Sequence, residues 1–176
     1  MDVPLPDVKR IRRPLQMPYV WRSAMVLRGK TEEMPVDGAV GARIGWSGMA
    51  NEGVTRRTLT FHPPYRNGKI GCVLARFRVK VPVGGLVFTA KTAKSPGSVA
   101  GDGILFKALV REKAGASPES VAEMTVKDYA WHDFRADLSR WAGRTVDLIL
   151  VGDPGPADNT YGDGGGWADM RLEFPY

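Results

Sequence analysis

The sequence predicts an all-β protein, an antiparallel β-sandwich, and three observations carry that reading. Glycine (21) and proline (13) are abundant across 176 residues, which suits short strands joined by turns better than helices. Apolar residues alternate with polar ones in several runs, the period of a strand with one face in a core. The chain closes on Gly162-Asp163-Gly164-Gly165-Gly166-Trp167-Ala168-Asp169-Met170-Arg171-Leu172-Glu173-Phe174, a loop followed by a tryptophan-anchored last strand.

Taken in order, residues 1–40 are read as an irregular N-terminal arm or linker, and residues 41–176 as the sandwich. The arm is broken by Pro4, Pro6, Pro14 and Pro18, and holds one apolar cluster, Met17-Pro18-Tyr19-Val20-Trp21. It lacks the apolar stretch of a secretory signal. Strands are then expected at Val54–Phe61, Gly71–Val81, Gly85–Ala90, Gly103–Arg111, Ala122–Val126, His132–Asp137, Thr145–Val151 and Trp167–Phe174. In Val73 to Val81 the odd positions are apolar and the even ones become basic. Turns are read at Pro63 to Gly68, Val83-Gly84-Gly85, Ser95-Pro96-Gly97 and Asp153 to Pro156, each rich in the residues that turns need. The stretch Asp137 to Gly143 is the one helix-like segment, and its length makes it a connector.

Composition also excludes. No apolar run approaches the ~20 residues of a membrane-spanning helix. The single cysteine, Cys72, rules out an intrachain disulfide and multi-cysteine zinc motifs; it reads as a small hydrophobe of a strand. The net charge of +6 is densest at Lys9-Arg10-Ile11-Arg12-Arg13. That run reads as a solvated arm, so no nucleic-acid partner is expected. With two histidines, and without HExxH, GxSxG or a P-loop, catalysis has little support.

Four motifs carry a resemblance. They are Gly101-Asp102-Gly103-Ile104-Leu105-Phe106, Trp131-His132-Asp133-Phe134-Arg135-Ala136-Asp137-Leu138-Ser139, Trp141-Ala142-Gly143-Arg144-Thr145-Val146-Asp147-Leu148, and the closing Asp163 to Leu172. In order and spacing the stretch from about Thr58 to Phe174 resembles the galactose-binding-like jelly-roll superfamily. The resemblance extends to the carbohydrate-binding modules appended to bacterial glycoside hydrolases. It implies a jelly-roll sandwich, core positions for Trp141 and Trp167, and a glycan ligand. Gly164-Gly165-Gly166 departs from the bulkier or polar residues often found in that loop.

Glycan recognition needs flat apolar faces for sugar C–H surfaces and planar polar groups for hydroxyls. Tyr65, Arg66 and Asn67 offer such a set on a proline-stiffened turn, and Trp131, His132 and Arg135 offer another at a strand start. Trp46, flanked by Gly45 and Gly48 across short spacers, is a third candidate. Tyr65 and Trp131 each have a plain structural alternative: an exposed turn tyrosine and a core tryptophan. Asp153, Asp158, Asn159, Asp163 and Asp169 crowd one loop and strand end. The four aspartates are candidate ligands for a structural calcium ion, although the spacing matches no EF-hand. Calcium is not required by this reading, and no other cofactor is expected.

The expected function is a non-catalytic carbohydrate-binding module for an oligo- or polysaccharide, working beside a larger enzyme or protein assembly. A structural module that binds protein through its N-terminal arm and Trp21 is the alternative, and a polysaccharide lyase or hydrolase stands third. Whether the chain acts inside or outside the cell is left open.

Overall fold

A computed structural model describes residues 14–20, 22–98, 102–159 and 162–175. Lys9 to Arg13 and Trp21, on which the arm-mediated reading rests, lie outside the described residues. Eleven strands build two antiparallel sheets. They are β1 (Leu15–Gln16), β2 (Arg22–Leu27), β3 (Arg43–Asn51), β4 (Val54–His62), β5 (Gly71–Lys80), β6 (Val87–Lys94), β7 (Ile104–Arg111), β8 (Glu119–Val126), β9 (His132–Asp137), β10 (Thr145–Asp153) and β11 (Gly165–Glu173). The first sheet runs β3-β4-β11-β6-β9, with β1 also on β11; the second runs β2-β5-β10-β7-β8.

All eight expected strands are present, with ends moved by a few residues. The expected connector after β9 is a single 3-10 turn, Ser139–Trp141. Three strands were not foreseen. Residues 14–20 are mostly irregular apart from β1, but β2 belongs to the sandwich although it lies ahead of residue 41. It pairs along β5 from Arg22 opposite Arg76 to Leu27 opposite Gly71. The sandwich therefore begins before the expected boundary.

The core follows the period-two rule. Val73, Ala75, Phe77 and Val79 of β5 face inward with Leu148 and Leu150 of β10 and with Ile104, Phe106 and Ala108 of β7. Trp167 fills the centre, its ring 4.9 Å from Phe134, 5.0 Å from Phe106 and 6.2 Å from Phe88. The edge-to-face arrangement with Phe134 and Phe106 sets positive ring edges against negative faces. Trp141 is buried as well, so both tryptophans implied as core are core. A bulge breaks β11 between Ala168 and Arg171, and Asp169 sits there at φ 49°. Beyond the bulge β1 pairs with Leu172 and Arg171.

Candidate functional site

The outer face of the second sheet departs from the rule that strands turn polar residues to water. Successive residues of a strand point to opposite faces, so Cys72 and Leu74 of β5, Ile149 and Val151 of β10 and Leu109 of β7 point away from the core. With Ala24 and Val26 of β2 they form a second apolar cluster. Ile149 is 2% exposed and Leu74 6%. The central strand β10 is thus apolar on both faces from Leu148 to Val151, as a strand covered on both sides must be.

A groove of about 610 Å³ crosses this face, within the usual range for small-molecule sites. Its floor is the aliphatic cluster. One wall carries Thr31 and Glu33, and the other is the β7–β8 connection at Gly115, Ala116, Ser117 and Pro118. Lys107, Arg111, Ser120, Glu123 and Asp153 supply polar groups around it. Among the described residues no aromatic side chain lines it.

Both ends of the floor are ion-paired. At one end Arg76, one of the basic even positions of β5, is 2% exposed. It pairs with Glu33, and its Nε lies 3.8 Å from Asp147. The buried Asp147 also meets Arg78 at 3.0 Å and Arg111 at 3.1 Å. Burial lowers the Arg76 pKa from its usual value, with Glu33 opposing. At the other end Asp153 lies 3.4 Å from Arg28 and 3.7 Å from Lys107. It also accepts the Gly155 backbone N–H at 2.8 Å, and Arg28 pairs with Asp158. Half-buried Cys72 lies on the floor between them, its thiol pKa pushed up by burial and by Asp153.

The ligand-binding residues expected from sequence lie elsewhere, in three groups. Tyr65, Arg66 and Asn67 come together on the loop after β4. The Tyr65 and Arg66 backbone N–H groups both donate to the Val40 carbonyl at 2.9 Å, and Asn67 Nδ2 donates to Ala39 at 3.4 Å. The Tyr65 ring lies tilted by 55° against His62, their centres 4.6 Å apart, with the Arg66 guanidinium 5.1 Å from its centre. Gly41, at φ +82°, leaves the space that this ring occupies, since a Cβ there would overlap it. His62 is held against the Pro63 carbonyl at 2.6 Å. Burial lowers its pKa, so the ring is a neutral structural group.

Trp131 and His132 stand at the start of β9. Arg56 lies 5.4 Å from the Trp131 ring centre, and the buried indole N–H has no hydrogen-bond partner. His132 Nε2 meets Asp128 at 2.5 Å, an interaction that lowers the Asp128 pKa. Arg135 is exposed further along β9, opposite Thr89. Trp46, 47% exposed on β3, has the Arg57 guanidinium 4.8 Å from its centre. Each of the three aromatic candidates therefore already carries a guanidinium at its ring.

The four aspartates expected to hold calcium do not form one set. Asp153 and Asp158 pair with Arg28, and Asp169 pairs with Arg56 from the bulge. Asp163 is fully buried, and neither of its oxygens has a hydrogen-bond partner. Among the described residues no three His, Cys, Asp or Glu side chains converge as a metal cluster. Asp153 and Asp158 thus share Arg28, while the bulge turns Asp169 to Arg56. Calcium takes six to eight oxygen ligands; of the four, Asp163 keeps both oxygens unpartnered, with the charges of Asp102 and Asp153 acting on it.

No family model matches the chain. An uncharacterized protein of Archaeoglobus fulgidus is 32% identical over 84 residues, covering 42% of this chain and 20% of that protein. The chain therefore spans about a fifth of that relative's length. Among solved structures, the carbohydrate-binding module TmCBM61 in complex with β-1,4-galactotriose superposes with a TM-score of 0.51 at 13% identity, covering 78% of this chain and 90% of the module. The Clostridium thermocellum xylanase 10B CBM22-1-GH10 modules, complexed with xylohexaose, match at 0.52 and 12% identity, over 78% of this chain and 25% of that one. The K1 adhesin domain of Lys-gingipain from Porphyromonas gingivalis matches at 0.54 and 11% identity, over 93% and 95%. The fold is that of the carbohydrate-binding modules, in keeping with the motif resemblance.

Proposed function

We propose that the chain is a non-catalytic glycan-binding module whose ligand lies in the groove across the second sheet. The groove itself carries this reading. It offers about 610 Å³ and an aliphatic floor on which sugar C–H faces can rest. Lys107, Glu123, Asp153 and Ser120 are placed around it for hydroxyls. The fold it shares with modules solved with galactotriose and xylohexaose supports a saccharide ligand. Without an aromatic platform, affinity would be modest, with a Kd of ~10⁻³–10⁻⁵ M.

Calorimetric titration with β-1,4-galactotriose, xylohexaose and a polyuronate oligosaccharide tests this proposal. Lys107→Ala is expected to weaken any binding tenfold or more, about 1.4 kcal/mol, while Tyr65→Ala leaves it unchanged. Loss in Tyr65→Ala with Lys107→Ala unaffected would move the site to the loop after β4. Failure of all three ligands in the folded protein would overturn the glycan reading.

A further inference from the structure

Strand β3 is an unprotected sheet edge, and its chemistry is self-complementary. The turn joining it to β4 is Glu52-Gly53, with φ 49° and 77°, the two-residue hairpin in which both central residues are left-handed. The pair that closes such a turn, here Asn51 and Val54, exchanges hydrogen bonds, and bonding alternates from there. Met49, Ser47, Gly45 and Arg43 therefore bond to β4. Ile44, Trp46, Gly48 and Ala50 turn their N–H and C=O groups outward. Among the described residues no strand pairs with that edge.

The other three edges are blunted. Met25 of β2 exchanges two hydrogen bonds of 2.8 Å with Met34. The β7–β8 pairing shifts register, and β8 carries Glu119 and Glu123. Strand β9 alternates Asp133, Arg135 and Asp137. By contrast β3 has neither charge nor proline from Ile44 to Ala50. Sheet edges ordinarily carry such guards against pairing with another chain.

We propose that two copies of this chain pair antiparallel through β3, about a two-fold axis passing through Ser47. In that register Trp46 faces Gly48 of the second copy, Ile44 faces Ala50, and Arg43 faces Asn51, so no like charges meet. Every outward-bonding residue meets another outward-bonding residue, allowing about eight new hydrogen bonds. Trp46 gains a neighbour without a side chain, which leaves room for its ring. The seam is small, so the dimer is weak and dependent on concentration. Because each copy carries +6, added salt strengthens it.

Sedimentation velocity from low to high micromolar protein, at low and moderate salt, tests the pairing. Gly48→Pro removes an outward N–H without touching a bond to β4. A Cβ at Gly48 meets only Thr55, at 3.8 Å. This variant is expected to keep the wild-type melting curve and remain monomeric. Ser47→Cys places two thiols across the axis within disulfide reach and is expected to cross-link under mild oxidation where wild type does not. A wild-type chain that stays monomeric throughout, a dimer that persists in folded Gly48→Pro, or Ser47→Cys that fails to cross-link would each overturn the proposal.

Discussion

Replacing Asp163 with asparagine should stabilise the protein above neutral pH and remove a fall in stability between about pH 4 and 7. Asp163 is fully buried without a hydrogen-bond partner for either oxygen. Burial, then the charges of Asp102 and Asp153, push its pKa from 3.8 up to about 7, against the pull of Lys94. The unfolded chain releases this proton near pH 4, whereas the folded chain keeps it until about 7. In that window the folded state binds more protons, so stability falls as pH rises, then levels off. Three pKa units set a ceiling of about 4 kcal/mol, which relaxation of the site reduces toward about 2.

His62 works in the opposite direction. Its folded pKa lies below 6.5, so its contribution is complete above pH 6.5 and is lost as pH falls below it. The difference between wild type and Asp163→Asn isolates the aspartate. Urea denaturation at half-unit steps from pH 4.5 to 8.5, in EDTA, measures it. The expected gain at pH 8 is about 2–4 kcal/mol, or roughly 5–15 °C in Tm, shrinking toward zero near pH 4. Equal curves for the two proteins would refute the assignment of the pH dependence to this carboxyl.

Trp167→Ala should cost about 3–5 kcal/mol, read by thermal melting, because three phenylalanine rings pack on it. Gly152→Ala should cost about 1–3 kcal/mol or more, since a Cβ on this β10 glycine would overlap the Phe61 ring; an unchanged midpoint in urea would contradict that. Asp147→Ala should cost about 3–5 kcal/mol, because it takes a carboxylate from buried Arg76 and removes the shared anion of Arg78 and Arg111. Replacing exposed Asp133 as a control should stay within about 0.5 kcal/mol.

The sandwich was legible wherever burial imposes alternation, as in β5 from Val73 to Val79, and wherever turn residues bound a run. Strand β3 was not legible because an edge strand buries little, and Gly45 and Gly48 dilute its pattern. Strand β2 was hidden by the prolines before it, although Ala24 and Met25 face opposite covered surfaces. The groove left a trace that went unread. In β10 the run Leu148-Ile149-Leu150-Val151 is apolar at both parities, and in β5 Cys72 and Leu74 join the inward-facing set. A half-exposed sheet would place polar residues there, so the excess marks a second covered face.

The groove and the loop aromatics would select ligands by different physics. A cation near a ring competes for the face on which a sugar would stack, and Arg57, Arg66 and Arg56 each occupy that position at Trp46, Tyr65 and Trp131. Binding there would have to displace a contact of about 0.5–1 kcal/mol at exposed sites. The groove floor carries no such competitor, and Lys107, Arg111 and Asp153 around it are held by ion pairs before any ligand arrives, which lowers the entropy lost on binding. Around Asp147 and Glu33 stand Arg22, Arg76, Arg78 and Arg111, four cations against two anions. That end gathers arginines while the floor beside it stays apolar. A ligand with one apolar face and an acidic group at its end would meet both at once, whereas an uncharged saccharide would rest on the floor and use Lys107, Glu123, Asp153 and Ser120 for its hydroxyls.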